Sequence, residues 1–336
     1  MWPHLKAWFS RPENRTPLLV GSGTRVAIFF IAFIGIRFVG DRDPGKFLYH
    51  GGKPHPVKLL DNFQRFDSYW FLNIARNGYR YFGVQEQMHP ARRVPKEKET
   101  NITPFPLYPA SIWLLNLAIG DRTLSGMLLS LGCFLGALMV FYRMVREDYG
   151  DRVAGRAVLY LSIYPTAWLY NSIYSESLFL LLTLLCLWRA RNGDALAAGL
   201  FGMGAAATRL AGSLMVLPVA AEFLLGERRR PNWSKALPAL LAAGLTCMGW
   251  VGYFIYLRGL TGSILVYFVA QRGWHKGLAM PWTALWNLLA PGLFRSGMRV
   301  VQLAFLLLFA PLTILGLNRL RPSYALLLLG FLMPLC

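Results

Sequence analysis

Residues 236–257, ALPALLAAGLTCMGWVGYFIYL, indicate the fold class of this chain. It carries no charge, and its length is close to the ~20 apolar residues that a helix needs to cross a bilayer. Hydrophobic residues make up 55% of the 336 residues, and similar runs recur along the chain. No run alternates with the period of two typical of a barrel strand, and lipid offers backbone groups no partner. The sequence therefore predicts an all-α, polytopic integral membrane protein.

The other apolar runs supply the remaining candidate spans. They cover residues 25–40, 125–145, 153–170, 177–189, 195–218, 300–317 and 324–336. Two regions do not fit a simple crossing. Residues 105–120 are apolar but short, so we expect them to re-enter the membrane or to lie in the interface. Residues 195–225 are too long for one crossing, so they cross twice or contain a break near Arg209 and Gly212.

The charged residues indicate the orientation of these spans. The net charge is +19, but the basic residues mostly follow the ends of apolar runs, as topology signals do. We therefore expect anionic lipid headgroups, and no nucleic acid, as partners. A basic N-terminus that includes Arg25 precedes an apolar stretch without a cleavage site, which predicts an uncleaved signal anchor and a cytoplasmic N-terminus. Residues 1–336 then form a single transmembrane domain, and the polar stretch 41–104 lies outside the cytoplasm as the loop expected to carry the chemistry.

The sequence offers no metal or cofactor motif. The four cysteines lie far apart in apolar runs without metal-ligand spacing, which is typical of small buried hydrophobic residues. There is no Walker A loop, no HExxH motif and no cluster of carboxylates. We therefore predict no metal and no cofactor.

The clearest pattern in the polar loop is RFDSYWFLNIARNGYRYFG, residues 65–83. Phe66, Trp70 and Ile74 share one helical face, and Gly78 fits a C-terminal stop. The pattern predicts a helix over 65–78 that lies on the outer membrane surface with its aromatic side chains among the headgroups. Asp67 at its start is either an N-cap or a functional carboxylate, and these residues alone favour the cap.

The segment TPFPLYPASIW, residues 103–113, contains Pro104, Pro106 and Pro109. Three prolines argue against a regular helix there and fit a chain that re-enters the membrane. The alternative is a rigid turn without a chemical role.

Two further segments place charges inside apolar sequence. Glu176, in YPTAWLYNSIYSESLF (residues 164–179), lies where two apolar runs meet. Ionisable groups at such a depth are costly and usually functional, although Ser175 or Glu176 could also cap a helix. Arg209, in GAAATRLAGS, either snorkels to the interface or holds a phosphate through charge-assisted hydrogen bonds.

The last segment is YFVAQRGWHKGLAMPW, residues 267–282. Its basic and aromatic patch is formed by Gln271, Arg272, Trp274, His275 and Lys276. An interfacial anchor and a lipid-phosphate site would have the same composition, so both interpretations stay open.

Taken in order, these segments resemble the PIG-V-like mannosyltransferases, relatives of the enzyme that adds the second mannose to glycosylphosphatidylinositol. The matching segments are FDSYWFLNIARNGY (66–79), FPLYP (105–109), YSES (174–177), TRLAG (208–212), and QRGW (271–274) followed by Pro281-Trp282. Five matches in the right order over residues 65–282 are far more specific than any one of them.

The chain also departs from the family pattern. Phe66 stands where the family has tryptophan, and the loop after Gly83 is long and charged. Family members continue through further spans and carry a late arginine near a Phe-Pro pair, which this chain lacks. The chain stops inside the apolar run SYALLLLGFLMPLC, so a natural terminus and a truncation relative to the family both stay open. If that arginine is required, the chain as given is inactive.

The resemblance implies a GT-C fold and an inverting transfer of mannose from a polyprenyl-phosphate-mannose donor. The donor is a co-substrate, and the acceptor is a glycan, a glycolipid or a protein outside the cytoplasm. Asp67 then becomes the preferred general base, and Arg209, Arg272 or Lys276 would stabilise the departing phosphate. The other substrate-binding positions that we expect are Arg65, Tyr79, Tyr108, Tyr174, Glu176, Gln271 and Trp274. We expect Glu176 and Gln271 to approach the same cavity as Asp67.

The resemblance also implies a location, which is the plasma membrane in a bacterium or the endoplasmic reticulum in a eukaryote. Three other functions stay open from the residues themselves. A secondary transporter would show internal repeats, and none is visible. A non-catalytic membrane partner would fit the abrupt C-terminus. Another GT-C activity, with a different sugar or acceptor, would use the same residues.

Overall fold

The structure, a computed structural model, describes residues 2–39, 56–82, 100–226, 231–272 and 297–332. All regular secondary structure in these ranges is helical, which confirms the predicted all-α class. The α-helices are α1 (Trp2–Ser10), α2 (Pro12–Ile34), α3 (Lys58–Asp61), α4 (Ser68–Asn77), α5 (Leu107–Ile119), α6 (Arg122–Tyr149), α7 (Asp151–Ile163), α8 (Glu176–Arg191), α9 (Ala195–Thr208), α10 (Val216–Leu224), α11 (Ala236–Thr261), α12 (Val266–Arg272), α13 (Gly297–Gly316) and α14 (Pro322–Leu332).

Three helical segments of the described chain are long and apolar enough to cross a membrane. They are Pro12–Phe38, Arg122–Tyr149 and Trp233–Thr261. The first joins α2 to a π-helical turn over Gly35–Val39, and the third includes a 3₁₀ turn before α11. Helices α5 and α9 and the segment Leu210–Leu224 are apolar but shorter. The chain is therefore an all-α membrane protein, as the apolar runs predict.

The centre of the bundle is a close contact between α9 and α11. A Cβ atom on Gly202 would lie 2.1 Å from Thr246 Oγ1, and one on Gly249 would lie 2.1 Å from the carbonyl oxygen of Met203. Glycines therefore let the two backbones approach, as small residues do between helices in lipid. This contact fixes the C-terminal end of α9, from which Arg209 projects.

Two breaks between helices matter for function. The first lies between α9 and α10, where Arg209 is extended (φ −155°, ψ 149°) and a 3₁₀ turn follows over Leu210–Met215. A break near Arg209 and Gly212 was one of the two predicted solutions, and it is confirmed. The second break lies between α7 and α8 and contains another 3₁₀ turn, Ala167–Asn171. Pro165 follows α7 directly and cannot continue its hydrogen bonding, so the predicted run 153–170 is not one helix.

The predicted first span, 25–40, is wrong at its start. Helix α2 begins at Pro12, so Arg25 lies in its middle. Arg25 is not a charge that flanks the span at the membrane surface, because its side chain is only 2% exposed. It is packed inside the bundle against α6 and the α7–α8 break.

The predicted interfacial helix over 65–78 is shorter than expected. Helix α4 begins at Ser68, because Phe66 adopts a left-handed conformation (φ +53°) that a helix cannot contain. Gly78 ends the helix as predicted, and its N–H donates to Ile74 O at 2.9 Å. The apolar face packs inside the protein, with Trp70 2% exposed, so it is not laid among the headgroups.

The prediction that three prolines prevent a regular helix is also wrong. Helix α5 is regular from Leu107 to Ile119. Pro104 and Pro106 precede it, and Pro109 lies in its first turn, where a missing N–H costs nothing. The flanks of the polar loop, residues 40–55 and 83–99, lie outside the described residues.

Candidate active site

A cavity of about 640 Å³ opens at the end of the bundle where α4 and α8 begin and α9 ends. Its volume is in the range of small-molecule sites. Its polar lining includes Asp67, Glu176, Arg209 and Gln271. Asp67, Glu176 and Gln271 therefore meet at one cavity, as expected, although more than 200 positions separate the first from the last.

Asp67 reaches the cavity from a strained turn. It occupies the N-cap position of α4, but its backbone is helical (φ −63°, ψ −16°) and its carboxylate makes no capping hydrogen bond. The N-cap interpretation is therefore wrong for its side chain. Phe66 before it has the only positive φ among the described non-glycine residues. Such a conformation costs on the order of 1–3 kcal/mol and is typical of functional sites, where the surrounding fold maintains it.

Glu176 and Arg209 form an ion pair at the wall of the cavity. Arg209 Nη1 donates to Glu176 Oε1, and the two side chains are 40% and 25% exposed. Glu176 is the first residue of α8, and neither it nor Ser175 supplies a side-chain cap to that helix. The second carboxylate oxygen, Oε2, is buried and accepts no hydrogen bond from any described residue. The pair thus leaves part of the Arg209 guanidinium accessible from the cavity.

Gln271 lies on the short helix α12 and is held by its neighbour one turn earlier. Gln271 Nε2 donates to the hydroxyl of Tyr267 at 2.8 Å, and both side chains line the cavity. Burial raises the pKa of the Tyr267 phenol above its usual value of about 10. The phenol is therefore neutral near pH 7 and cannot act as a base there, which leaves the carboxylates for that role.

The cavity lining also contains apolar and aromatic side chains. It includes Trp70, Phe71, Phe105, Leu210 and Leu214. A lining that combines ionic and apolar side chains suits a ligand that has both a charged group and a hydrocarbon part.

Tyr174 also lines the cavity and joins two of its elements. Its hydroxyl donates to the carbonyl oxygen of Arg65 at 3.2 Å, and the N–H of Ile173 donates to Phe63 O at 3.2 Å. These bonds tie the α7–α8 break to the segment that carries Asp67. The guanidinium of Arg65 lies 3.2 Å from Asp61, so it supports this segment and does not line the cavity.

Residues 55–216 match the family model of the PIG-V mannosyltransferases. The match covers just under half of the chain and supports the resemblance to the PIG-V mannosyltransferases. The match contains Asp67, Glu176 and Arg209, and it supports glycosyltransferase activity in general. No curated protein and no solved structure matches the chain significantly.

Two tyrosines that the PIG-V resemblance marks as substrate-binding lie outside the cavity lining. The Tyr108 hydroxyl contacts Ser130 Oγ at 2.7 Å, and its ring packs edge-on against Phe71 at 5.0 Å. The Tyr79 hydroxyl donates to Pro104 O at 2.8 Å. Tyr108 and Tyr79 therefore contact residues of the cavity lining, and their role in substrate binding stays a prediction.

The remaining predicted residues are on the C-terminal side of Gln271. Arg272 ends α12, but its side chain lies outside the described part of the structure, as do Trp274, His275 and Lys276. Among the described residues, no group of three or more His, Cys, Asp or Glu side chains has the arrangement of a metal site.

Several residues of the lining were not predicted as site residues from the sequence. Ser175 and Thr208 adjoin Glu176 and Arg209 within the YSES and TRLAG motifs, so the motifs themselves point to them. Tyr267 lies four residues before Gln271, and this helical spacing places both on one face. Phe105 and Leu214 carry no such signal, because an apolar residue in an apolar run could equally face lipid.

Proposed function

We propose that this chain transfers mannose from a polyprenyl-phosphate-mannose donor to an acceptor hydroxyl, with inversion at the anomeric carbon. The observation that supports it is one cavity whose lining combines Asp67, Glu176, Arg209 and Gln271 with apolar side chains. The acceptor belongs to a glycan, a glycolipid or a protein, and the reaction needs no metal.

In this proposal Asp67 is the general base. The acceptor oxygen attacks the anomeric carbon, the bond from that carbon to the phosphate oxygen breaks, and the acceptor proton passes to the Asp67 carboxylate. Polyprenyl phosphate leaves with the bonding electrons. The exposed position of Asp67 at the start of α4 lets a substrate hydroxyl approach it.

Arg209 is the cation that binds the donor phosphate. Its guanidinium is 40% exposed at the cavity and sits at the helix break that α9 and α11 fix. A planar guanidinium can hold two phosphate oxygens at once, and it stabilises the charge that grows as the phosphate leaves. The apolar residues of the lining would contact the first hydrocarbon units of the donor.

The cavity faces away from the cytoplasm, and the chain crosses the membrane several times. The opposite end of the bundle carries Arg143, Arg146, Arg191 and Arg321 near the ends of α6, α8 and α14. Basic residues close to span ends favour the cytoplasmic side, so the end with the cavity is extracytoplasmic. The membrane is the plasma membrane in a bacterium or the endoplasmic reticulum in a eukaryote.

The test compares wild type, Asp67→Asn and Asp67→Ala at equal membrane abundance, with polyprenyl-phosphate-mannose as donor and membrane glycolipids as acceptors. Asn keeps the shape of the side chain but cannot take a proton. General-base catalysis contributes about 10²–10⁴ in rate, so both variants should lose at least about 10² in transfer.

Full transfer by Asp67→Asn would refute the base assignment. A wild-type protein that transfers no mannose but does transfer another sugar from a lipid phosphate would refute the donor and leave the base assignment standing.

A further inference from the structure

Arg25 is a charged side chain buried in the middle of the long helix α2. It is 2% exposed, and no described carboxylate forms an ion pair with it. Its guanidinium carbon lies 4.5 Å from the centroid of the Phe134 ring, which stacks on Tyr170 at 4.4 Å. An arginine inside a membrane span is costly and usually has a function.

The hydrogen-bond acceptors of Arg25 lie in the last turn of α7 and in the break between α7 and α8. Nη2 donates to Ser162 O at 2.5 Å, and Nη1 donates to Ala167 O at 2.6 Å and to Asn171 Oδ1 at 2.9 Å. Ser162 lies in the last turn of α7, where carbonyl groups have no partner within the helix. Arg25 therefore donates hydrogen bonds to backbone carbonyl groups that lose their helical partners where α7 ends.

The same break delivers residues to the cavity. It runs directly into Tyr174, Ser175 and Glu176, which all line the cavity. Through Tyr174 it contacts the carbonyl of Arg65, two residues before Asp67. A continuous set of contacts thus leads from Arg25 to both cavity carboxylates, while Arg25 itself is not part of the lining.

The cluster is not built for stability alone. Arg25 Nε, Asn171 Nδ2 and Ser162 Oγ are buried and have no hydrogen-bond partner among the described residues. Native proteins leave few such atoms, and an apolar contact of the same shape would hold α2 against α7 at lower cost.

We propose that Arg25 is a positioning residue that fixes the α7–α8 break and thereby sets the geometry of Glu176 and Tyr174 relative to Asp67. The expected change in kcat rests on the proposed function. The expected change in the position of the break rests on the fold alone. A misplacement of about 1 Å can lower a rate by about 10²-fold without loss of the reacting groups.

The kinetic experiment measures kcat and donor KM for purified wild type, Arg25→Gln and Arg25→Lys. We expect Arg25→Gln to lower kcat by roughly 10- to 100-fold with a smaller change in KM, because Arg25 touches no substrate. Arg25→Lys keeps the charge but lacks the planar fork that reaches three acceptors, so it should recover kcat only in part. Arg146→Gln is the matched control, since Arg146 also reaches from α6 to α2 but pairs with Glu13 at the other end.

The structural experiment measures the distance between spin labels on Asn77→Cys and Thr166→Cys in a background without native cysteines. Both positions are exposed, and they report on the end of α4 and on the break. We expect one narrow distribution in wild type and in Arg146→Gln, and a broad one in Arg25→Gln. If Arg25→Gln does not fold, Asn171→Leu removes one of the three contacts and should lower kcat by roughly 3- to 10-fold.

Arg25 variants with wild-type kcat in the folded fraction, or with an unchanged distance distribution, would overturn the proposal. If wild type transfers no mannose to any acceptor, the proposed function fails, and the distance distribution alone decides whether Arg25 fixes the break.

Discussion

Both ends of the helix bundle hold arginine–carboxylate pairs, but the surroundings of these pairs differ. At the end opposite the cavity, Arg191 donates to both oxygens of Asp148 at 3.0 and 2.9 Å. Arg321 bridges Asp148 and Glu222, at 3.3 and 2.8 Å. Ser323 donates to the other oxygen of Glu222, so both of its oxygens accept a hydrogen bond. We call these five residues the closed network.

At the cavity, Glu176 and Arg209 form a pair with one hydrogen bond, and Glu176 Oε2 accepts none from the described residues. The Arg191 side chain in the closed network is 8% exposed, whereas that of Arg209 is 40% exposed. A satisfied buried network joins α6, α8, α10 and α14, and it leaves no group for a ligand. The cavity pair keeps a partly exposed guanidinium that a ligand can use. Structural and candidate functional arginines therefore differ in two properties, and not in charge. These are the burial of the arginine side chain and the number of hydrogen bonds that its carboxylate partner accepts.

The largest expected effect is on stability, at the closed network. Arg191→Met removes the bidentate partner of Asp148 and leaves that carboxylate buried with less compensation. We expect a loss of about 3–5 kcal/mol in the free energy of unfolding, as for other broken buried pairs. Thermal or denaturant unfolding in detergent measures the loss, and transfer per folded molecule should stay at the wild-type value. A fall in transfer per folded molecule would mean that the two ends are coupled.

The next effect is on transfer, at the cavity pair. Arg209→Gln removes the cation proposed to stabilise the leaving phosphate, so the rate should fall by about 10²–10³. The pair is partly exposed, so stability should change by less than about 1 kcal/mol. Initial rates with polyprenyl-phosphate-mannose measure the first quantity, and unfolding in detergent measures the second.

The matched control for Arg209 is Arg189→Gln. Arg189 is 43% exposed and pairs with Asp194 at 3.8 Å at the other end of α8. Its loss should change neither quantity measurably. An equal fall in transfer for both variants would show that the fall reflects net charge and not phosphate binding.

A sequence pattern of this kind predicts helices well and their long-range contacts poorly. The apolar runs at 125–145, 177–189 and 236–257 each lie inside one observed helix or within a residue of it, because lipid forces local hydrogen bonding. The break at Arg209 was also predictable, because a charge and Gly212 interrupt an apolar run. The buried contacts of Arg25 were not predictable, since its hydrogen-bond acceptors lie more than 130 positions away in the sequence and no local pattern indicates them.

The candidate site divides in the same way. Motif residues such as Asp67, Glu176 and Gln271 were predicted and do meet at the cavity. The ion pair of Glu176 with Arg209 was not predicted, because pairing depends on how two separate breaks meet in space. The conformation of Phe66 was missed as well, since a helical pattern at 66, 70 and 74 gives no sign of a left-handed residue at its first position.

A smaller effect is expected at the contact that holds the cavity arginine in place. Gly202→Val puts a branched side chain where even a Cβ would lie 2.1 Å from Thr246 Oγ1. We expect a loss of about 1–3 kcal/mol in unfolding free energy and reduced transfer per folded molecule, since α9 carries Arg209. Gly244→Val on α11 is the control, because a Cβ there meets no atom within 4 Å. Equal unfolding curves for the two variants would contradict the close α9–α11 packing.

The smallest effect is expected when one tyrosine hydroxyl is removed at each end of the bundle. Tyr267→Phe removes the acceptor that holds Gln271 Nε2 at 2.8 Å in the cavity. Tyr142→Phe removes a hydroxyl that donates to Asp151 Oδ1 at 2.9 Å at the opposite end. A single hydrogen bond contributes a net ~0.5–1.5 kcal/mol, which corresponds to roughly a 2- to 12-fold change in an equilibrium or rate constant.

The loss of one hydrogen bond should affect a different measured property in each variant: donor KM in Tyr267→Phe and the free energy of unfolding in Tyr142→Phe. With Tyr267→Phe the Gln271 amide is free to rotate away from a bound substrate, so donor KM should rise by roughly that factor while unfolding changes little. With Tyr142→Phe the unfolding free energy should fall by about 0.5–1.5 kcal/mol while KM and kcat stay constant, because no substrate approaches α6 there. Parallel measurements of donor KM and of denaturant unfolding on both proteins decide the matter. If Tyr142→Phe raises KM, or if Tyr267→Phe loses only stability, then the division into a ligand-binding end and a structural end is wrong.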